Sequence, residues 1–329
     1  DLRRFVADVE SPELVALATQ LASETGVNLD PETLLAQAQN PDFNAEVRVA
    51  SLNSLVDSKA KSAKGAVAGL LGDKDEAVAA AAMKHGFALA IPGIQEKGIK
   101  AVSGKSIAVA RAAVAGLGAT ATDELAKMWT NRGKALRPAL QLDAYLALQE
   151  QGHASATEFA ATPNAVFNLS QHGGDSKAGA IVFQGQGACL QCHKVGKSGG
   201  IQGPDLTKVG VRLDRSKLVE SIVNPGAEIS PGYGMTVATL KSGNTASGLI
   251  KAEDADSVTI VALDGAETKL ARSDIETMTP PISAMPPLGA SLPPRDLRDL
   301  VAYLAAQKGK GKAKKDDAES HGDDEKIAK

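Results

Sequence analysis

The sequence has few cysteines, few aromatic residues and no excess of one charge. Only two of its 329 residues are cysteine, so it lacks the disulfide framework of a small secreted scaffold. Its 36 Lys and Arg residues face 39 Asp and Glu residues, and this near balance argues against nucleic acid as a partner. No run of about 18 uncharged apolar residues occurs, so no membrane-spanning helix is predicted. With 43% apolar residues, the chain is long enough for two domains with cores.

The N-terminus also lacks the basic, apolar and small-residue regions of a signal peptide. The sequence begins directly at Asp1. We therefore expect either that a leader has been removed or that the chain is part of a longer protein.

From about Asp30 to Gln151 the sequence is rich in alanine and leucine and predicts one helix after another, within a helical-repeat domain assigned to residues 1–165. Four segments resemble one another and start about 30 residues apart: Val47–Leu52, Ala77–Ala82, Ala108–Ala113 and Ala135–Leu140. This spacing is typical of stacked helical hairpins, and the region resembles HEAT-type repeats. An irregular alanine-rich helical bundle is the alternative.

A polar stretch over 154–174 predicts a connection between domains, with the boundary near residue 172. Beyond it the sequence predicts helices over Ser176–Gln184 and Arg215–Val223, the second capped by Asp214. A last helix follows a proline-rich segment and places Leu297, Leu300, Val301 and Leu304 on one face. Phe183 and Tyr303 are expected to pack where the first and last of these helices cross.

Residues 233–278 have a period of two and predict a β meander or small barrel inserted into this second domain. The predicted strands are Met235–Leu240, Thr245–Ile250, Val258–Leu263 and Thr268–Ala271. The final residues, 308–329, alternate clustered lysines with clustered acidic residues and predict a disordered tail. The predicted fold class is therefore mainly α with a small β insertion.

The two cysteines lie in Cys189-Leu190-Gln191-Cys192-His193, a C-x-x-C-H sequence. This is the attachment signature of c-type haem, because two thiols at this spacing reach both vinyl groups of one porphyrin while the histidine binds the iron. A zinc site is an alternative, although it needs further ligands and no second cysteine pair exists. A thioredoxin-type redox pair is another, although it needs a βαβ setting.

A haem iron held by His193 needs a sixth ligand or an open site. Met285 is the predicted ligand because it lies in a proline-rich loop, Ser283–Pro287, just before the last helix. His172, which precedes the first helix of the second domain, is the alternative. The carbonyl of Pro204 is a candidate acceptor for the free imidazole N–H of His193, which would orient the ring; a simple turn is the other interpretation.

Five short motifs together resemble the planctomycete and verrucomicrobium type of class I cytochrome c domain. They are Gly179-x-x-x-Phe183, Gly203-Pro204-Asp205-Leu206, Ser221-Ile222-x-Asn224-Pro225, Ser283-x-Met285-Pro286 and Leu300-x-x-Tyr303-Leu304. The resemblance covers residues 173–307 and includes the β insertion. It implies a class I cytochrome c fold, one covalently bound haem c, and Met285 as the distal ligand.

The resemblance implies electron transfer rather than catalysis, and a periplasmic location. Similar domains lie C-terminal to helical repeats in larger sugar- or alcohol-dehydrogenase-like proteins, so this chain is alternatively the electron-accepting portion of such a protein. A haem sensor with an open distal position is a further alternative. No catalytic residue or substrate is assigned, since no nucleophile and base pair, phosphate loop or carboxylate cluster stands out.

The expected partner is a redox protein. Lys194, Lys197 and Lys208 lie near the haem motif in sequence and either form a rim that docks an acidic partner or make up a solvated face. The helical repeats offer a second possible docking surface for a protein.

Overall fold

The computed structural model describes residues 11–25, 27, 29–262, 264–289 and 291–309. The chain divides between His172 and Gly173 into two compact units. It is mainly helical with a small antiparallel sheet, which confirms the predicted fold class at that level. All but the first two residues of the predicted disordered tail lie outside the described residues, as does Leu263 in a predicted strand. None of the described helices is long and apolar enough to cross a membrane.

The described part of the first unit consists of helices and their connections. Their bounds are α1 Pro12–Glu24, α2 Pro31–Gln39, α3 Ala45–Asp57, α4 Ala63–Leu70, α5 Glu76–Ala88, α6 Ile94–Val102, α7 Ile107–Thr120, α8 Thr122–Thr130, α9 Arg132–Ala135, α10 Pro138–Glu150, α11 Ala154–Ala160 and α12 Ala165–Leu169.

Four of these helices begin at a constant interval. Helices α3, α5, α7 and α10 start at residues 45, 76, 107 and 138, each 31 residues after the one before. The side chains of Asn44, Asp75 and Ser106 cap the first three by accepting backbone N–H groups, and α10 begins with Pro138 instead. The predicted fourth segment, which starts at Ala135, is therefore out of register. Arg137, the residue before Pro138, has φ −56° and ψ 143° and is therefore not helical. This is expected because proline disfavours a helical conformation at the preceding position.

Side-chain contacts join helices one interval apart. Nε2 of His85 in α5 lies 2.7 Å from Oδ1 of Asn53 in α3. The Nε–H of Arg111 in α7 donates to Oδ2 of Asp143 in α10 at 2.8 Å. Both pairs are 32 residues apart in sequence, and a single apolar core runs beneath them. Helices that start one interval apart therefore contact one another over a shared core.

The stretch predicted as a connection between domains contains two short helices, α11 and α12. Ala156, Ala165 and Leu169 are buried. His153 caps α11, since its Nδ1 accepts the backbone N–H of Ser155. Helices of seven and five residues are too short to show a helical period in sequence, which explains why the pattern alone did not reveal them.

A nearly buried ion pair, Arg48–Asp73, supplies a pH-dependent contribution to the stability of the first unit. The side chains are 6% and 13% exposed, and Nη1 of Arg48 donates to Oδ1 of Asp73 at 3.1 Å. The hydrogen bonds from Arg48 hold the pKa of Asp73 below its ordinary value of 3.8. The pair therefore stabilises the fold fully above pH 3.8, and this contribution is lost as the pH falls through the lower, folded-state pKa.

We expect Asp73→Asn to lower the free energy of unfolding by about 3 kcal/mol at pH 7, because Arg48 is then left without its counter-charge. The difference from wild type should shrink below pH 3.8, where the wild-type carboxylate is also protonated. Denaturant unfolding between pH 2.5 and 7 measures this, with the exposed Asp42→Asn as the control. Parallel curves for wild type and Asp73→Asn over the whole range would contradict the assignment.

The described part of the second unit contains four α-helices and eight short strands. The helices are α13 Ser176–Gln184, α14 Val209–Arg212, α15 Arg215–Val223 and α16 Pro294–Ala305. The strands are β1 Lys194–Val195, β2 Ser198–Gly199, β3 Gly234–Leu240, β4 Thr245–Glu253, β5 Ser257–Val261, β6 Glu267–Ala271, β7 Ile275–Met278 and β8 Ile282–Ser283. The two helices that were predicted over Ser176–Gln184 and Arg215–Val223 are confirmed.

Helices α13 and α16 cross at a glycine. The rings of Phe183 and Tyr303 are 5.2 Å apart at this crossing, which confirms the predicted contact. A Cβ atom at Gly179 would overlap the carbonyl oxygen of Asp299 and lie 2.8 Å from Cβ of Tyr303. The close approach of the two backbones therefore requires glycine at this position.

We expect Gly179→Ala to lower the free energy of unfolding of the second unit by about 1–3 kcal/mol, since the added methyl group forces the two helices apart. Gly226→Ala is the matched control, because a Cβ atom there meets no atom within 4 Å. Denaturant unfolding of both variants tests the prediction. Equal midpoints for the two variants would show that the crossing tolerates a larger residue.

The β insertion is an antiparallel sheet with strand order β6-β5-β4-β3-β7, and β8 also pairs with β3. Consecutive strands β3 to β6 form the predicted meander, and each overlaps one predicted strand. Strands β7 and β8 were not predicted. One face of the sheet carries the core residues Ala238, Ile250, Val258, Ile260 and Leu270.

Candidate functional site

The cysteine motif follows α13 after a connection of four residues and forms a tight turn. Residues Cys189–Gln191 make one turn of 3₁₀ helix. The backbone N–H groups of Cys192 and His193 both donate to the carbonyl oxygen of Cys189, at 3.2 and 2.8 Å. Ala188, just before the turn, has a φ of +49°, an unfavourable value for a residue with a side chain. Such strain is typical of functional sites, where the surrounding structure holds it in place.

The two thiols are free and lie in different surroundings. Cys192 is exposed, whereas Cys189 is half-buried, and the two are not joined in a disulfide. Sγ of Cys189 lies 3.4 Å from the carbonyl oxygen of Gly187 and donates to it. Burial raises the pKa of Cys189 to about 11, so it is a neutral thiol at physiological pH.

His193 makes one hydrogen bond that determines which ring nitrogen remains available. Its Nδ1 lies 2.9 Å from the carbonyl oxygen of Pro204. A carbonyl oxygen only accepts, so Nδ1 carries the hydrogen and, in the neutral ring, Nε2 keeps its lone pair. Within the described ranges Nε2 has no hydrogen-bond partner. Gly203 also lies against the ring, since a Cβ atom there would be 2.6 Å from Cε1 of His193.

The residues after the motif fold back along it. Strands β1 and β2 pair through a tight turn with positive φ at Gly196, which returns the chain to the motif. The backbone N–H groups of Gly200, Gly203 and Leu206 then donate to the carbonyl oxygens of Leu190, Cys192 and Lys194, at 3.0, 2.9 and 2.8 Å. The sequence shows this segment only as a glycine-rich loop. The density of glycines was the available signal that backbone packs on backbone here.

Met285 lies between β8 and α16 in a loop that is anchored on α15. Its side chain is half-buried, and its backbone N–H donates to Oγ of Ser283 at 3.2 Å. Three residues later, the N–H of Leu288 donates to the carbonyl oxygen of Ile222 at 3.0 Å. Among the described residues, Met285 has no hydrogen bond to the cysteine motif. Its predicted role as a ligand therefore depends on its place in the chain and on the resemblance.

His172, the alternative sixth ligand, is the last residue of the first unit. Its backbone N–H donates to the carbonyl oxygen of Leu169 at 3.5 Å, at the end of α12. In the part of the chain that the structure describes, no three His, Cys, Asp or Glu side chains converge as ligands of one metal ion would. Cys189, Cys192 and His193 therefore do not form a closed zinc-type site.

Sequence comparison does not place the chain in a family. No protein-family model matches it, and no curated protein is significantly similar to it.

Three lysines lie on the segments that surround the motif. Lys194 is in β1, Lys197 is in the turn that follows, and Lys208 follows Thr207. These segments are joined, since the N–H of Gly196 donates to Oγ1 of Thr207 at 2.8 Å. None of the three lysines forms an ion pair within the described residues. Hydrogen bonds from Thr207 are the main cause of the lowered pKa of Asp205, but Lys194 is close enough to this carboxylate to help lower it.

Proposed function

We propose that this chain is a single-haem c-type cytochrome that transfers one electron at a time. The cofactor would be one haem c, held covalently by Cys189 and Cys192, with His193 and Met285 as the iron ligands. We propose that the second unit has a class I cytochrome c fold interrupted by the β insertion. The first unit would then be a HEAT-like scaffold.

The hydrogen bond from His193 to Pro204 is the observation that carries this proposal. It holds the ring in the tautomer that leaves Nε2 free, and a histidine that ligates a metal generally donates its other N–H to an acceptor of this kind. The same turn presents two thiols that are not oxidised to a disulfide. The residues present therefore fit a covalently attached haem.

When bound, haem supplies an iron centre that gains and loses one electron. The protein contributes the covalent anchors, the orientation of the His193 ring and the donor strength of its Nε2. If Met285 occupies the sixth position, no open site remains for a substrate or gas, and electron transfer is favoured. We therefore propose no enzymatic activity and assign no catalytic residue.

The proposed partner is a redox protein with an acidic docking surface. Lys194, Lys197 and Lys208 supply the complementary charge beside the motif, and such charge complementarity speeds encounter between redox proteins. The helical repeats of the first unit offer a second surface for a protein. Attachment of haem to this motif occurs outside the bacterial cytoplasmic membrane, so we propose a periplasmic location.

The decisive experiment is a pyridine haemochrome spectrum of the protein made in a host with cytochrome c maturation, recorded after acid–acetone extraction. We expect the haem to stay with the polypeptide and to give the spectrum of a thioether-linked porphyrin. Haem that is extracted completely, or a chain that binds none, would overturn the proposal. The cysteines would then be a redox or metal-binding pair.

A further inference from the structure

The segment Gly199–Leu206, called the glycine strap below, contacts the cysteine motif and Lys194 at several points between its two ends. Three strap N–H groups donate to carbonyl oxygens of the motif and its neighbour, those of residues 190, 192 and 194. In the opposite direction, the side chain of His193 donates to the carbonyl oxygen of Pro204 in the strap. Four hydrogen bonds thus join two short stretches of chain, and each restricts the movement of the motif relative to the strap.

The carbonyl groups between these acceptors are covered by glycines. A Cβ atom at Gly200 would overlap the carbonyl oxygen of Gln191, and one at Gly199 would overlap that of His193. Along the motif, carbonyl groups therefore alternate between accepting a hydrogen bond from the strap and facing a strap residue without a side chain. Any larger residue at position 199 or 200 must push the strap away from the motif.

The strap also carries the carbonyl group that accepts the hydrogen bond of the His193 side chain. Pro204 lies four residues beyond Gly200, and the N–H of Gly203, between them, is bonded to Cys192. We expect an outward shift at Gly200 to lengthen the hydrogen bond of Gly203 and to displace the carbonyl group of Pro204, because only three residues separate Gly200 from Pro204. The ring nitrogen then donates to a more distant acceptor.

We propose that Gly199 and Gly200 are positioning residues for the proximal ligand, acting through the strap to set the donor strength of His193. This inference rests on the proposed function, because donor strength matters only when Nε2 binds the iron. A shorter bond from Nδ1 to a carbonyl oxygen makes Nε2 a stronger donor and stabilises the oxidised iron. A substitution that moves the strap away from the motif lengthens the hydrogen bond between His193 and Pro204, and should therefore raise the reduction potential of the iron.

Gly200→Ala tests this, because the φ angle of Gly200 is not positive and the carbonyl oxygen of Gln191 is the main obstacle to a methyl group there. Gly226→Ala is the matched control, with open space around its Cβ position. We expect a higher reduction potential for Gly200→Ala only. We also expect amide hydrogen exchange at Gly203 and Leu206 to accelerate about tenfold, as hydrogen bonds weaken.

The outcomes separate this inference from the proposed function. If wild-type protein holds no covalent haem, the proposed function fails, while amide exchange still tests the strap. If haem is covalent but Gly200→Ala and Gly226→Ala have the same potential and exchange rates, the positioning role is wrong. If Gly200→Ala does not accumulate, amide hydrogen exchange of the wild-type protein provides the test. Slow exchange at residues 200, 203 and 206 would support the hydrogen bonds between strap and motif on which the inference depends. Exchange as fast as in a free loop would overturn the inference.

Discussion

Replacing both Cys189 and Cys192 with alanine is expected to abolish covalent haem retention. The two thiols are the only cysteines in the chain, so no other side chain can form a thioether bond to a porphyrin vinyl group. Acid–acetone should extract all haem from the double variant. Each single variant should retain haem through one thioether, with a haemochrome band shifted because one vinyl group stays unsaturated. The measurement is the haemochrome spectrum before and after extraction.

Gln191→Ala is the control for this prediction. Gln191 lies between the cysteines, its side chain is exposed, and the carbonyl group that the strap covers remains in the variant. We expect it to keep both thioethers and the wild-type spectrum. Haem that resists extraction in the double variant would show that the cysteines are not the attachment points. Haem lost equally from Gln191→Ala would show that the motif turn, rather than the thiols, is what the substitutions disturb.

The local elements of the second unit could be predicted from sequence because their signals are local. Helix Arg215–Val223 begins where predicted because Oδ1 of Asp214 accepts the backbone N–H of Lys217, at 2.8 Å, and it ends before Asn224 and Pro225. The strands β3 to β6 follow from alternating side chains and turn glycines. Strands β7 and β8 lack such a pattern. They form because β3 has a free edge that later segments pair with, a long-range effect with no trace in their own sequences.

The sequence pointed to the residues of the candidate site but not to the backbone contacts that hold them. The C-x-x-C-H motif indicated Cys189, Cys192 and His193 as candidate site residues. The expected hydrogen bond between His193 and the carbonyl group of Pro204 is present in the structure. The role of the strap could not be predicted, because backbone hydrogen bonds between neighbouring loops depend on how the chain turns rather than on which side chains it carries. The same holds for the 31-residue interval of the first unit, which capping residues mark more accurately than the alanine-rich segments do.

On the proposed function, replacing Met285 with alanine is expected to remove the sixth ligand of the iron. The Met-to-iron charge-transfer band should disappear, because alanine offers no sulfur. The reduction potential should fall by roughly 0.1–0.3 V, a fraction of the about 0.8 V range that axial ligands command. The direction follows from the tendency of methionine to raise the potential relative to other ligands. Absorption spectroscopy and a redox titration of purified holoprotein measure both effects.

The variant should keep its fold, because the loop that carries Met285 is anchored by main-chain contacts. The hydrogen bond from Leu288 to Ile222 does not involve the methionine side chain, and Gly289 remains packed against Val223. Met235→Ala, a half-buried methionine in β3, is the matched control and should keep the band and the potential. An unchanged spectrum and potential in Met285→Ala would show that Met285 is not the ligand. A wild-type spectrum without the Met-to-iron band, together with an altered spectrum and potential in His172→Ala, would then identify His172 as the sixth ligand.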